Sequence, residues 1–378
     1  MKKPRAYYEA IAILTGCIIG AGVLAIPFVV VRAGFWTGML VIIGLGLAAL
    51  VVNLLVGEVS LRSNKCQQLA GYAERYLGLN GKYLMGASMV IGVYGALIAY
   101  TIGVSESLQA LFGGPVWVWG VLFYLLMGWL IYGGIGIIGK SELGLEIFKF
   151  GIFAVVLGVL FFSPYFSAER FVSFDWTRLL LPFGVILFAY LGTAAIPEVR
   201  EGMKVCKLLT RRAIIIGSLV PILVYALFTA AVVGITGTGT TEVATIGLGF
   251  FIGGIGFVLL HVFAILAMAT SFIALGYALK EMYFIDFKIP HGESWALTMA
   301  IPATLLLVGV QSFVRTLEFA GVFAGGIAGI AVVLMHLQAR KRSERKPEYS
   351  VRINWVGYSA LILLFLAGML YEVWQLFF

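Results

Sequence analysis

Two segments of the chain combine glycine and proline in a pattern that can free backbone groups for binding. They are residues 16–27 and 188–198. Each contains a glycine, two further residues and then Ala-Ile-Pro, starting from Gly22 in the first segment and from Gly192 in the second. Glycine permits non-helical backbone, and proline removes a helical hydrogen bond. The pattern therefore predicts a helix break in each segment, with unpaired N–H and C=O groups that can hold a ligand.

The composition indicates where these segments lie. The chain has 378 residues, of which 61% are hydrophobic and 12% are charged. A soluble domain of this length would be about one-quarter charged. A chain this apolar has too few polar residues to form a surface exposed to water, so much of its surface must face lipid.

Apolar stretches long enough to span a bilayer recur along the whole chain. A spanning helix needs about 20 apolar residues, since its backbone groups must be satisfied within the segment. About eleven such stretches predict an all-α transmembrane protein that forms one membrane domain over residues 1–378. Their approximate bounds are 7–31, 37–60, 83–111, 116–138, 144–163, 180–201, 211–234, 250–282, 293–310, 315–337 and 353–377.

The distribution of positive charge predicts the orientation. If the N-terminus lies inside, the outer segments hold only four basic residues, and Lys149 lies within a span; the four are Arg32, Arg170, Arg178 and Arg315. All other lysines and arginines then fall in inner segments, as the positive-inside rule requires. The rule predicts a multi-pass protein of the cytoplasmic membrane, with the N-terminus inside and the C-terminus outside. It also accounts for the net charge of +8 without a nucleic acid partner.

The residues used by enzymes and metal sites are sparse. Three cysteines, Cys17, Cys66 and Cys206, are too dispersed to predict a disulfide framework or a metal site. An intramembrane enzyme would need several acidic, His or Ser–His groups at one depth, and the chain has three widely spaced histidines. The sequence therefore predicts no enzyme activity and no cofactor, apart from a sodium ion considered below.

The two predicted breaks lie in the first and sixth spans, which run in opposite directions through the bilayer. Freed backbone groups at membrane depth are tolerated only where they line a cavity or are buried in protein. Paired interruptions in two halves of a chain mark the binding site of a transporter. The tripeptide Ala-Ile-Pro also occurs at residues 300–302, but there it lacks a glycine at the same offset.

At these residues the chain resembles a known group of membrane proteins. The segment 16–27, GCIIGAGVLAIP, followed by AGF at 33–35, resembles the first helix of the aromatic and hydroxy amino acid permeases and of the amino acid/auxin permeases. Both groups belong to the amino acid–polyamine–cation superfamily, which has the leucine-transporter fold. Weaker similarities follow at Glu58, YGALIAY at 94–100, FAYLG at 188–192, IPE at 196–198 and TSF at 270–272.

The resemblance implies a leucine-transporter-like arrangement of two inverted five-helix repeats plus one extra helix. The first repeat would cover residues 7–163, the second residues 180–337, and the extra C-terminal helix residues 353–377. Helices one, two, six and seven would rock against the remaining helices to give alternating access. The substrate would be a small-molecule amino acid bound at the two breaks.

The expected substrate site consists of backbone groups and a few side chains at the breaks. Amide N–H groups of the first span would hold the carboxylate, and freed carbonyls of the sixth span would hold the ammonium. The residues are Ile19, Gly20, Ala21, Gly22, Phe188, Ala189, Tyr190 and Gly192, with Tyr100 or Tyr94 on the third span as a cap. The pocket offers no evident charge for a side chain, so we expect a neutral amino acid, aromatic or large and aliphatic.

Two interpretations of the coupling ion remain open. The residues Ala267, Thr270 and Ser271 resemble the sodium ligands on the eighth helix of sodium-coupled relatives, where Gly16 and Ile19 would supply first-helix carbonyls. A second sodium is not expected, because Val23 occupies the position of its asparagine ligand. Thr and Ser in membrane helices also often bond their own backbone.

Lys149 on the fifth span supports the alternative ion. In some proton-coupled or sodium-independent relatives, a lysine on this span places its ammonium where sodium would sit. An ionisable residue within a span is a functional hypothesis by default. Lys149 can instead reach the inner interface or pair with Glu142 or Glu146.

The sequence therefore predicts symport of a neutral amino acid with sodium or a proton. A non-transporting membrane sensor and a sodium-independent exchanger are the alternatives. The sequence does not indicate the oligomeric state.

Overall fold

The computed structural model of the protein describes residues 5–133, 142–204 and 206–377. These ranges form the following α-helices: α1 (Arg5–Ile18), α2 (Gly22–Ala33), α3 (Phe35–Arg62), α4 (Leu69–Leu77), α5 (Leu79–Phe112), α6 (Val116–Gly133), α7 (Glu142–Phe161), α8 (Phe183–Ala189), α9 (Ile196–Gly202), α10 (Thr210–Thr236), α11 (Ala244–Gly249), α12 (Gly254–Glu281), α13 (His291–Val308), α14 (Phe313–Ala320), α15 (Gly326–Lys341) and α16 (Trp355–Phe377).

The helices follow the predicted spans in order. Span one is α1 with α2, span six is α8 with α9, span ten is α14 with α15, and each other span is one helix. Within the described ranges, eight helical segments are long and apolar enough to cross a membrane, and α1 with α2 makes a ninth. The all-α transmembrane fold is thereby confirmed. The end of predicted span four, residues 134–138, and the basic residues Lys2, Lys3 and Lys140 lie outside the described residues.

The longest helix, α5, runs through the interior and packs closely on span ten. A Cβ atom placed on Gly92 would lie 2.9 Å from the Cβ of Ala324. One turn earlier, the Ser88 hydroxyl donates a 2.7 Å hydrogen bond to the carbonyl of Ala324. Helices in lipid gain most from such close packing and interhelical hydrogen bonding, because apolar burial offers little between them.

A buried polar cluster fixes α3 at the predicted cytoplasmic end. Glu58 is fully buried and accepts hydrogen bonds from Arg62 Nη2 at 2.6 Å and Ser350 Oγ at 3.0 Å. His336 Nε2 on α15 lies 3.0 Å from the same carboxylate. A buried carboxylate is tolerable only with such partners. The cluster therefore ties α3 to α15 and to the segment that leads into α16.

At the opposite end, hydrogen bonds attach the segment between α7 and α8 to α2 and α3. The Thr37 hydroxyl bonds the carbonyl of Asp175 at 3.3 Å and accepts from its amide at 2.8 Å. Arg178 donates to the carbonyl of Arg32 at 3.1 Å. These bonds place Arg32 and Arg178, two of the four predicted outer basic residues, at the same end of the molecule.

Span ten is interrupted by a π-helical turn at Gly321–Gly325, which was not predicted. π-Turns often occur at functional sites. Gly321 lies directly against α8: a Cβ atom there would overlap the carbonyl oxygen of Gly184 and lie 2.8 Å from the Cβ of Phe188. The turn thus sets the close approach of span ten to the first half of span six.

This contact predicts the effect of Gly321→Ala. The added methyl group should force α8 away from span ten, and overpacking of this kind costs about 1–3 kcal/mol. We expect a lower unfolding temperature in detergent. Gly158→Ala on α7 is the matched control, since a Cβ atom there meets nothing within 4 Å. Equal unfolding temperatures for the two variants would contradict this packing.

Candidate functional site at the two helix breaks

The first span is broken between Ile18 and Gly22, where α1 and α2 meet at an angle of 52°. The amide of Ile19 bonds the carbonyl of Thr15 at 2.8 Å, and the amide of Gly20 turns back to the carbonyl of Ile18 at 2.9 Å. The normal ladder of hydrogen bonds from residue i to i−4 therefore stops here. The break predicted from the sequence is confirmed.

The break leaves donors at the start of α2. In the described part of the chain, the amides of Ala21 and Val23 make no hydrogen bond. They lie at a helix N-terminus, where the N–H groups and the positive end of the helix dipole favour an anion. This end of α2 can hold a carboxylate.

The sixth span is broken over a longer stretch. After α8 ends at Ala189, the chain passes through a 3₁₀ turn at Thr193–Ala195 before α9 begins. Among the described residues, no donor reaches the carbonyls of Tyr190 and Leu191. Unpaired carbonyl oxygens at a helix break suit a cation such as the ammonium of an amino acid. This break is also confirmed.

The two breaks lie against each other. A Cβ atom on Gly22 would lie 2.7 Å from the Cβ of Ala189, so only glycine permits this approach. On the other side of the crossing, a Cβ atom on Gly192 would meet the side chain of Ile18. Donors from the first break and acceptors from the second are therefore brought into one region.

Tyr225 on α10 joins the two breaks, and the sequence analysis missed it. Its hydroxyl lies 2.6 Å from the carbonyl oxygen of Ile18 and 2.9 Å from that of Ala189. Ile18 and Ala189 are the last helical residues before each break. A tyrosine within apolar span seven was the only signal in the sequence.

The two tyrosines proposed as a cap on span three have different environments. The hydroxyl of Tyr94 is 2.8 Å from that of Tyr283 and donates to the carbonyl of Leu297 at 3.0 Å, so it faces α13 and the turn that follows α12. The Tyr100 hydroxyl lies 3.7 Å from a Cβ position on Gly20, and the side chain is 3% exposed. It makes no hydrogen bond to any described residue. Tyr100 is the one of the two that reaches the first break.

Tyr190 and Phe188 on span six also differ. The Tyr190 hydroxyl donates to the carbonyl of Ile42 on α3 at 3.0 Å, and its ring packs 5.1 Å from that of Tyr225. Its side chain therefore points toward α3, and its backbone carbonyl is the part left open. Phe188 is buried beside Gly321.

The predicted cation ligands lie near the first break. A Cβ atom on Gly20 would lie 3.0 Å from Ser271 Oγ, and that hydroxyl makes no hydrogen bond to a described residue. In the same part of the chain, the carbonyls of Gly16 and Ile19 accept no hydrogen bond. Uncharged oxygens of this kind suit a hard cation, so these residues fit sodium.

The predicted sodium ligand Thr270 and the proton-coupling candidate Lys149 are both engaged with or covered by protein. The Thr270 hydroxyl bonds the carbonyl of Leu266 at 2.8 Å and that of Ala267 at 3.3 Å, both within α12. Lys149 is 2% exposed, with its Nζ 5.9 Å from the ring centroid of Phe150. Its side chain is therefore covered by protein, and the side chains of Glu142 and Glu146, its predicted partners, lie outside the described part.

A separate cleft of about 740 Å³ opens at the predicted outer end. It is lined by Glu106 on α5, Glu242 before α11, Ser312 before α14 and their neighbours. The Glu242 carboxylate is already held by the Ser312 hydroxyl at 3.0 Å and the Val314 amide at 3.1 Å. The cleft contains none of the break residues.

Comparison with known proteins identifies the group to which this architecture belongs. The sequence matches the tryptophan/tyrosine permease family over residues 3–375. The chain belongs to this family. The permease is 26% identical to tyrosine-specific transport system 1 of Haemophilus influenzae over 95% of its own length and 93% of that protein. It is 25% identical to glutamine transporter 2 of Aliivibrio fischeri over 96% of its own length and 97% of that protein.

A solved structure shows a similar fold. The permease superposes on MhsT in complex with L-phenylalanine with a TM-score of 0.70, over 97% of each chain and at 15% identity. MhsT has the leucine-transporter fold, so the predicted fold is confirmed. The resemblance to the amino acid permeases is confirmed by the family match and the related sequences. The family consists of permeases, and the protein is a multi-pass membrane protein related to amino acid transporters.

The contrast between Tyr100 and Tyr94 predicts how phenylalanine substitutions at the two positions will differ. Tyr100→Phe removes a hydroxyl that makes no hydrogen bond among the described residues, so stability should hold. A hydrogen bond to a charged ligand group, by contrast, is worth about 1.5–3 kcal/mol when it is lost. We expect the Kd for the bound amino acid, measured by titration calorimetry, to rise at least about tenfold.

Tyr94→Phe is the matched control. It removes a hydroxyl that bonds within the protein, so it should lower the unfolding temperature and leave the Kd unchanged. A Tyr100→Phe protein with wild-type affinity would exclude the Tyr100 hydroxyl from the site.

Proposed function

We propose that this permease carries a neutral amino acid across the cell membrane by alternating access, in symport with sodium or a proton. One observation carries the proposal: the first break has amides, and the second has carbonyls, that pair with no described residue, and the two breaks lie against each other. A free amino acid has a carboxylate and an ammonium on one carbon, so a single molecule can satisfy both sets. The zwitterion would supply the hydrogen bonds that lipid cannot.

The side chains around the breaks support a neutral substrate with an aromatic or large aliphatic side chain. Ile18, Val23, Phe188 and Ala189 are apolar, and Tyr100 adds one hydroxyl. A charged substrate side chain would be desolvated there without a partner among them, which is costly. The relative named for glutamine makes a polar neutral side chain the alternative.

Transport would move one group of helices against the other. The two inverted repeats, residues 7–163 and 180–337, would place the broken spans in the moving group. In the outer half of span one, the residues that follow the break are covered by protein: Val23, Leu24 and Ala25 are 0% exposed. On α1, Cys17 is exposed although Leu14 and Ile18 are buried. This pattern supports a state open toward the side on which α1 begins.

Uptake into liposomes tests the function. We expect saturable uptake of at least one of L-tryptophan, L-tyrosine, L-phenylalanine, L-leucine and L-glutamine, driven by a sodium gradient or a pH gradient. Protein-free liposomes are the control. Amino acid binding without any uptake would indicate a sensor, and uptake only into preloaded liposomes, independent of both gradients, would indicate an exchanger.

Substitutions at the ion candidates distinguish the two couplings. If sodium binds at α12, Ser271→Ala should raise the sodium concentration for half-maximal uptake about tenfold, as expected for a lost ligand worth about 1.4 kcal/mol. Thr298→Ala is the control, because the Thr298 hydroxyl only bonds the carbonyl of Ser294 within α13, at 2.8 Å. If a proton is used, Lys149→Met should abolish uptake driven by the pH gradient. Unchanged ion dependence in both variants would exclude both positions.

Chemical labelling of Cys17 tests the predicted membrane orientation and the side toward which the protein is open. In a Cys66→Ser, Cys206→Ser background, a membrane-impermeant maleimide should label Cys17 from the cytoplasmic face of inverted vesicles. A saturating amino acid should slow the labelling, because closing around the substrate would shield the thiol. Labelling only from the outer face would reverse the proposed orientation or the open side.

A further inference from the structure

Tyr225 is buried and held by contacts to several helices. It is 0% exposed, and its ring packs against Tyr190, whose own hydroxyl is bonded to α3. Two turns earlier on α10, the carbonyl of Gly217 accepts a 3.4 Å hydrogen bond from the Thr15 hydroxyl of α1. The adjacent Ser218 accepts a 3.1 Å hydrogen bond from Asn53 of α3. The helix that carries Tyr225 is thus anchored to both neighbours.

The phenol group performs a task that no other described side chain shares. A hydroxyl has one proton, so two carbonyls at 2.6 and 2.9 Å compete for it. Without that proton the oxygens of Ile18 and Ala189 would face each other in a buried, low-dielectric region. Two acceptors with no donor between them repel. The Ile18 oxygen would keep the Gly20 amide as a donor at 2.9 Å, whereas the Ala189 oxygen, which accepts no backbone hydrogen bond from a described residue, would lose its donor.

We propose that Tyr225 is a positioning residue that sets the distance between the two breaks. Its hydroxyl would hold the ends of α1 and α8 so that the Ala21 and Val23 amides and the Tyr190 and Leu191 carbonyls fit the two ends of one amino acid. This inference rests on the proposed function. Its specific consequence is that simultaneous recognition of carboxylate and ammonium depends on Tyr225, although Tyr225 itself binds neither group.

Tyr225→Phe tests this consequence, because it removes one oxygen atom and keeps the ring. The probes are the best-transported amino acid of the panel above and its methyl ester, which keeps the ammonium and lacks the carboxylate. We expect the KM for the amino acid to rise about tenfold or more, with a smaller change in the maximal rate. Inhibition of uptake by the ester should change much less, so the ratio of amino acid affinity to ester affinity falls.

Tyr124→Phe is the matched control. Its hydroxyl also donates to a backbone carbonyl on another helix, that of Met299, at 2.5 Å, but it lies away from the breaks. Any general loss of packing or hydrogen bonding should affect both variants alike, and the ratio for Tyr124→Phe should remain that of the wild type.

The outcomes separate the two proposals. A Tyr225→Phe protein with the KM and affinity ratio of Tyr124→Phe would overturn the positioning role. If Tyr225→Phe does not fold while Tyr124→Phe does, the hydroxyl serves stability and the positioning role is again overturned. If the wild-type protein takes up no amino acid of the panel, the proposed function fails first, whatever the variants do.

Discussion

Every backbone N–H and C=O group within a bilayer needs a hydrogen-bond partner, and this requirement governs the whole molecule. Most of the chain meets it with continuous helices. The exceptions at the breaks of spans one and six lie against each other in the interior, where protein covers them. Exposed to lipid, each unpaired group would cost several kcal/mol. In the proposed function, an amino acid completes the amides at the start of α2 and the carbonyls that follow α8.

Contacts with the surrounding helices hold the two breaks against each other. Gly22 allows span one to touch Ala189, and Gly321 in the π-turn allows span ten to press against α8. Among the described residues, the Tyr225 hydroxyl is the donor that the two breaks share. At the predicted cytoplasmic end, the Glu58 cluster ties α3 to α15. These contacts leave the break groups with little freedom to pair elsewhere.

Sequence patterns predicted the spans and both breaks because those features are local. About 20 apolar residues define a span, and a glycine three residues before Ala-Ile-Pro defines a break. The same tripeptide at 300–302 lacks that glycine, and α13 runs without interruption through Pro302. A single proline is thus not sufficient for a break in this chain.

Long-range contacts were not predictable in this way. The carbonyls that Tyr225 binds lie 207 and 36 residues away in sequence. Tyr94 and Tyr100 share one apolar helix, and only their different helical faces decide which reaches Gly20. For Tyr190, the sequence placed the residue at the break but did not reveal that its side chain turns toward Ile42. The π-turn in span ten had a glycine-rich signal at 321–326, yet its role depends on the partner helix.

An experimental structure with a transported amino acid bound tests the central claim most directly. The account predicts a carboxylate oxygen within about 2.7–3.2 Å of the Ala21 or Val23 amide nitrogen, and an ammonium facing the carbonyls of Tyr190 or Leu191. An amino acid found only in the cleft beside Glu106 and Glu242, with the backbone groups at the breaks left unbound, would contradict it.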